Sequence, residues 1–231
     1  MKAKETFKLL EPIFNSIYNV VTLDSVTDNL NGTFTLFTCN TKWVTIGSTL
    51  TIGLNTYIVK DLVCNESILV SGVAMPLVFS FEIALPFVFR GTIIATSEEL
   101  NNINLSWNKF PMIYVHDIIV EKYSFDATSI VERESELNLY FLVDSDNQNW
   151  LTKDHYNYAI SPMRNLLFAF IDALDTSISV GLYSNGEVFN HAKFGVYFAD
   201  KGHEKKIFND DLSGTQLKIT IPFLSTLYCN C

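Results

Sequence analysis

The sequence predicts an α+β protein: an antiparallel or mixed sheet with flanking helices, joined to a β-rich, barrel-like module and an N-terminal helix. Three observations support this prediction. Apolar residues recur every three or four positions near the N-terminus, as on one face of a helix. Short runs rich in Thr, Val and Ile follow, and the second half mixes alternating strands with an amphipathic helix. We therefore divide the chain into residues 1–24, 25–95 and 96–231.

Residues 1–24 are predicted to form a helix and the first strand. The helix has one apolar stripe, made by Phe7, Leu10, Phe14, Ile17 and Val21. In residues 25–95, turn sequences such as Asn31-Gly32 and Gly53-Leu54-Asn55 separate short apolar runs. This spacing is typical of a small antiparallel barrel or meander, which we interpret as a possible insertion.

Residues 96–231 contain two predicted helices. Thr96 and Glu99 resemble the N-cap and N3 residues of a capping box, so a short helix is expected to end near Leu105. Ser161-Pro162 resembles an N-cap followed by proline at the first helical position. The second helix has an inward stripe of Met163, Leu166, Leu167, Phe170 and Leu174.

Strands are predicted around these helices. Lys109–Tyr123 is expected to be extended after Pro111, and Asn185-Gly186 indicates a hairpin turn. Val131–Glu136, which contains Arg133, is interpreted as a solvated or subunit-facing edge. Alternation predicts buried faces in three further strands, made by Leu137, Leu139, Phe141 and Val143, by Phe194, Val196 and Phe198, and by Leu217, Ile219 and Ile221.

Charge and hydropathy limit the classes of partner. The 231-residue chain has a formal net charge of −9, which opposes sequence-specific binding to nucleic acid but suits a surface past which DNA slides. The apolar run Val73–Arg90 fails as a membrane span because Glu82 splits it and Pro76 and Pro86 disturb a helix. We expect strands or a loop buried against a neighbouring subunit, and no membrane partner.

Metal and disulfide chemistry is not predicted. MKAKETFKLLEP does not resemble a secretory signal, so we expect an unexported protein with reduced thiols. A zinc site needs two well-spaced ligand pairs, whereas Cys39 and Cys64 stand alone and only Cys229 and Cys231 are close together. Residues 144–149 imitate a calcium loop but lack its glycine, so we predict a polar turn there. We expect neither a metal nor a cofactor.

Adjacent His116 and Asp117 raise the question of catalysis. In a strand, neighbouring side chains point to opposite faces, so these two residues are not expected to form a dyad. We interpret His116 as a hydrogen-bonded structural or interface residue. Phosphate-binding glycine loops, the dinucleotide fingerprint and the nucleophile elbow of hydrolases are absent from the sequence. We therefore predict no catalytic residue.

The order of several segments suggests a family. Phe110–Tyr114 enters a strand, Glu134–Val143 follows, Ile160–Arg164 opens a helix, and Ile207–Asp210 precedes Leu212–Gly214 and the final strand. Over residues 96–231 this order resembles structural proteins of tailed-bacteriophage necks and tails. The nearest resemblance is to tail-terminator or ring-forming head–tail connector proteins, including those of crAss-like phages. Such proteins have a sheet with flanking helices, form rings, and join head to tail or line the DNA passage.

The resemblance implies a virion protein, assembled in the host cytoplasm, that forms a homo-oligomeric ring beside other neck, tail or portal proteins. The resemblance assigns no catalytic role to any residue of this chain. We predict Phe79, Phe81, Phe87 and Phe89 as interface residues, because they alternate within the apolar run. Two alternatives remain open. One is a hydrolase in which His116, His155 or His191 meets a distant carboxylate, and the other is a binding module displayed on a particle.

Overall fold

The computed structural model describes residues 5–103, 109–126, 129–183, 185–198 and 204–224. The helices are α1 (Thr6–Asn15), α2 (Ile93–Asn102), α3 (Thr152–His155) and α4 (Ser161–Asp175), and a π-helical turn, Tyr156–Ile160, joins α3 to α4. The strands are β1 (Val20–Thr22), β2 (Ser25–Asp28), β3 (Thr33–Phe37), β4 (Thr49–Ile52), β5 (Asn55–Val63), β6 (Ser67–Ser71), β7 (Ser80–Glu82), β8 (Phe87–Gly91), β9 (Met112–His116), β10 (Val120–Asp126), β11 (Ser129–Asp144), β12 (Gly186–Phe194), β13 (Val196–Phe198), β14 (Glu204–Lys206) and β15 (Leu212–Phe223).

The larger sheet confirms the predicted α+β class with a mixed sheet and flanking helices. Its strands lie in the order β12-β15-β11-β9-β8, and β10 pairs with the N-terminal half of β11. The pairing is antiparallel except between β8 and β9, which are parallel. The predicted inward faces of β11 and β15 are confirmed by the burial of Leu137, Leu139, Phe141, Val143, Leu217, Ile219 and Ile221.

The module predicted in residues 25–95 contains an antiparallel sheet of five strands in the order β2-β3-β6-β5-β4. The outer strands, β2 and β4, have four residues each and do not pair with each other, so the described strands form no closed barrel. Of the two predicted alternatives, the closed barrel is not formed and the meander is confirmed by β4-β5-β6. β1 and β7 form a separate pair with Val21 opposite Phe81.

One apolar core joins the two larger sheets through α1 and α4. The ring of Phe14 on α1 stacks on Phe170 of α4, with 5.4 Å between centroids. At the margin of this core, Asn165 Nδ2 on α4 donates to Lys42 O at 2.8 Å and to Asn65 Oδ1 at 2.8 Å. The same cluster of buried residues includes Leu10, Ile13, Leu36, Val70, Leu139, Leu167 and Ile219. Its continuity holds the five-stranded sheet against α4.

The starts of two helices differ from prediction. Thr96 is not an N-cap, because α2 already begins at Ile93 and Thr92 Oγ1 accepts from Ala95 N at 3.3 Å. Thr96 lies within the helix and donates to Thr92 O at 2.9 Å. At the N-terminus, α1 ends before Val21, which lies in β1 instead of on the helical stripe. Both errors arise because capping residues and apolar spacing recur near the true boundaries.

Ser161 is also not an N-cap. The helix already starts in α3, where Asp154 Oδ2 accepts from Leu151 N at 2.9 Å, and Ser161 itself has helical φ −65° and ψ −46°. Pro162, which has no N–H to donate, lies one residue beyond the π-helical turn, and a wider turn of this kind can accommodate the missing hydrogen bond. The predicted inward stripe is confirmed by the burial of Met163, Leu166, Leu167, Phe170 and Leu174.

The strand predicted over Lys109–Tyr123 is divided into β9 and β10. Val115 pairs with Leu139 and Val120 with Glu136, so residues 116–119 lie opposite only two residues of β11. The extra residues bulge out of the ladder.

The hairpin predicted at Asn185-Gly186 is also wrong. Gly186 pairs with Ile219 and Val180 bridges Phe223, both on β15. The chain therefore bulges along one strand instead of reversing. Nearby, Gly195 has φ +76° and separates β12 from β13, which interrupts the single strand expected through Phe194 and Phe198.

Arg133 lies in the interior instead of at a solvated edge. Its side chain is 2% exposed, and its Nη2 donates to the carboxylate of Glu121 and to the hydroxyl of Thr6 on α1. Burial alone would raise the pKa of Glu121, but hydrogen bonds from Thr6, Tyr123 and Arg133 hold it below its usual value. The sequence prediction for Arg133 failed because α1, more than a hundred residues away in sequence, covers this part of the sheet.

Candidate functional site

An exposed apolar segment, residues 73–79, connects β6 to β7. Val73 is 92% exposed, Leu77 86% and Phe79 67%, and the segment contains no charged residue. Leu54, at the turn between β4 and β5, is fully exposed. A Cβ added to the adjacent Gly53 would lie 3.9 Å from Val78 Cγ1, so this turn is next to the segment. Together they form one apolar surface.

Main-chain contacts hold the apolar segment in place. Tyr57 Oη donates to Ala74 O at 2.8 Å, and Leu23 N donates to Phe79 O at 2.7 Å. Pro76 is buried. The backbone is therefore anchored at several points while the larger side chains face solvent.

The four predicted interface phenylalanines occupy different environments. Phe79 is exposed, whereas Phe81 is 5% exposed and belongs to the main core. Phe87 and Phe89 are half-buried and stacked, with 6.4 Å between centroids. They pack on a second, smaller core beneath α2. Phe81 is therefore inaccessible to a partner in this structure. Val73 and Leu77 lie in the predicted apolar run but were not singled out as interface residues, and the exposed Leu54 lies outside that run.

A depression of about 590 Å³ lies where the chain bulges beside the end of β15. Its apolar lining is Leu174, Val180, Leu182 and Leu224. The phenol of Tyr183 donates to the carboxylate of Asp175 at its side. Leu182 is fully exposed. This concave surface therefore combines four apolar side chains with one polar pair.

The two outer strands of the larger sheet differ in exposure. β8 is half-buried throughout, whereas the first five residues of β12 are exposed. Phe189 on β12 is 40% exposed, and Lys218 Nζ lies 4.8 Å from its ring centroid. An exposed outer strand can pair with another chain.

The face of the larger sheet away from α4 is apolar where it meets the smaller core beneath α2 and polar towards the N-terminal half of β11. Register places Glu134, Glu136 and Asn138 of β11 on this face, beside Lys218 of β15 and Glu187 of β12. All five are exposed or half-exposed. Glutamates outnumber lysines among them, so the face is poorly suited to binding phosphate groups.

Within the part of the chain that the structure describes, neither His116 nor His191 forms a dyad with a carboxylate. Asp117 Oδ1 accepts instead from Arg90 Nε at 2.6 Å, as expected if His116 and Asp117 do not pair. The His116 ring lies edge-on to Tyr114 at 6.0 Å. His191 Nε2 is 3.1 Å from Gln216 Oε1.

His155 contacts a serine in the way that a general base contacts a nucleophile: its Nδ1 lies 2.9 Å from Ser213 Oγ. Ser213 Oγ is also 3.0 Å from Ser145 Oγ and hydrogen-bonds to the carbonyl of Ala192. However, Ser213 is completely buried and His155 is 2% exposed. Burial lowers the pKa of His155, and the charge of Lys193 lowers it further. The pair is enclosed between α3 and β15 and meets no substrate in this arrangement.

The predicted polar turn after β11 is formed by Asp146, whose Oδ1 accepts from Gln148 N at 3.1 Å and Asn149 N at 3.0 Å. Within the described ranges, no group of three His, Cys, Asp or Glu side chains is placed to hold a metal ion. Cys39 is exposed and Cys64 half-buried; Cys229, Cys231 and Leu105 lie outside the described residues.

No family model matches the sequence, and no curated protein matches it either. Among the described residues, no helix is both long and apolar enough to cross a membrane.

Proposed function

We propose that the protein is a structural virion protein that forms an oligomeric ring in the head–tail connector or tail of a tailed bacteriophage. The observation that carries the proposal is the exposed apolar segment, residues 73–79. Contiguous exposed apolar surface is typical of protein–protein contacts. When such a surface meets a different surface on an identical neighbour, repetition of the contact closes a ring.

The ring would join neighbouring rings around the DNA channel, with other neck, tail or portal proteins as partners. A net charge of −9 permits this role, because an excess of acidic residues opposes tight binding to the DNA backbone. The glutamate-rich sheet face around Glu134 and Glu136 supports the same role. The protein would act through its shape, without a catalytic residue, cofactor or membrane partner.

Light scattering and particle imaging of the purified protein test the proposal. The expected result is a mass that is an integer multiple of 26.2 kDa, with annular particles in images. Phe79→Ser should reduce the assembled fraction, whereas Phe168→Ser, which removes a phenylalanine 55% exposed on α4, should not. A particle that stays at 26.2 kDa up to hundreds of micromolar (on the order of 10 mg/ml) would contradict the proposal.

A further inference from the structure

We infer that the apolar segment of one copy docks into the depression beside β15 of the next copy, so that subunits meet head to tail. The inference rests on the proposed ring function and specifies which two surfaces meet. The segment presents Leu77 and Phe79 to solvent, at 86% and 67% exposure. The depression is concave and is lined by Leu174, Val180, Leu182 and Leu224.

The apolar segment is suited to burial because its exposed side chains need no polar partner. Val73, Met75, Leu77, Val78 and Phe79 carry neither charge nor hydrogen-bonding groups. With the adjacent Leu54, they expose apolar surface on the order of 600 Å², at roughly 150 Å² for a fully exposed large side chain. A stable interface buries about 800 Å² on each partner. The segment therefore supplies most of one side of such an interface.

The depression can accept apolar side chains without leaving an isolated charge. Among the described residues of its lining, Asp175 alone is charged, and its carboxylate already accepts a hydrogen bond from Tyr183. The depression is open to solvent, and its volume of about 590 Å³ leaves room for an apolar side chain of the size of Leu77 or Phe79.

A second copy of the chain can cover both surfaces, because each copy carries one apolar segment and one depression. Two segments meeting face to face would form a closed dimer and leave both depressions unfilled. Docking of the segment into the depression is instead heterologous, and repetition of that contact gives a ring or an open filament. The inferred contact is thus the kind that the proposed function requires.

Two variants test the inference. Leu77→Asp places a charge in the apolar segment, and Leu182→Asp places a charge at the depression. Leu77 is 86% exposed and Leu182 fully exposed, so both variants should fold, as unchanged thermal unfolding would verify. Each should weaken self-association about 30-fold or more. Ile94→Asp, at a position on α2 that is 66% exposed, is the matched control and should assemble like the wild type.

Mixing the two variants distinguishes head-to-tail docking from other arrangements. Leu182→Asp retains an intact segment and Leu77→Asp retains an intact depression, so a mixture can form one good contact. The expected product is a heterodimer of twice 26.2 kDa, although each variant alone is monomeric. Wild-type rings that persist in Leu77→Asp or Leu182→Asp would overturn the inferred contact but leave the ring function standing. A mixture that stays monomeric would overturn head-to-tail docking, and a monomeric wild type would overturn both proposals.

Discussion

Replacement of Ser213 with alanine distinguishes a structural role from a catalytic role for the Ser213–His155 pair. The hydroxyl lies 2.9 Å from His155 Nδ1 and 3.0 Å from Ser145 Oγ, and it also hydrogen-bonds to the carbonyl of Ala192. Ser213 and His155 are at most 2% exposed, so water does not readily replace the lost hydroxyl. A buried polar group without a partner costs about 1–3 kcal/mol. With two or three groups affected, the free energy of unfolding should fall by about 2–4 kcal/mol.

Thermal and urea unfolding measure this loss. In a chain of this size, 1 kcal/mol shifts Tm by about 2–4 °C, so the expected fall is roughly 5–15 °C. Ser124→Ala, at an exposed position on β10, is the control and should change stability by less than about 0.5 kcal/mol. A Ser213→Ala protein with wild-type Tm would refute the structural role. If that protein had also lost hydrolysis of a model ester, the pair would be catalytic.

Three further substitutions test the core. Burial lowers the pKa of His155 in the folded chain, so the unfolded chain takes up the proton first and the contribution of His155 to stability is lost as the pH falls. Burial raises the pKa of Asp144 to about 6, which acts in the opposite direction, so the test compares two proteins: the difference in Tm between wild type and His155→Asn should shrink from pH 7 to 5. In urea, Glu121→Gln should cost about 1–3 kcal/mol by removing the countercharge of a buried arginine, whereas Lys122→Gln, at an exposed ion pair, should cost less than about 0.5 kcal/mol. Gly214→Ala should cost more than about 3 kcal/mol or prevent folding, measured as soluble yield and urea midpoint, because its Cβ would lie 1.9 Å from Phe141 O.

The strands with one buried face were predictable from the sequence. Leu137–Val143 and Leu217–Ile221 alternate because successive side chains of a strand face opposite ways, and only one face packs on α4. Helix boundaries were less predictable, since Thr92 and Thr96 are both plausible caps by residue type. The choice between them depends on β8, which ends at Gly91 and directs the chain into α2 at Ile93. Local composition does not contain that constraint.

The candidate surface was also predictable only in part. Phe79 and Phe81 are two positions apart, which in a regular strand would place them on the same face, yet their exposures are 67% and 5%. β7 begins only at Ser80, and Phe81 is buried because it pairs with Val21 of β1, sixty positions earlier in the chain. Phe79 precedes the strand, so its side chain is free of that pairing. Alternation identified an apolar run, but a long-range strand pair determines which of its members are accessible.

The anchoring of the apolar segment bears directly on how it can bind. A flexible loop must lose conformational freedom on binding, at about 1–2 kcal/mol for each backbone residue that becomes ordered. Here the hydrogen bonds at Ala74 and Phe79, together with buried Pro76, already fix the backbone. Docking would therefore order mainly side chains, so more of the free energy gained by burying Leu77 and Phe79 would remain as affinity. A segment that is both apolar and held in place in the isolated chain is better suited to a fixed, repeated subunit contact than to adaptive recognition of varied ligands.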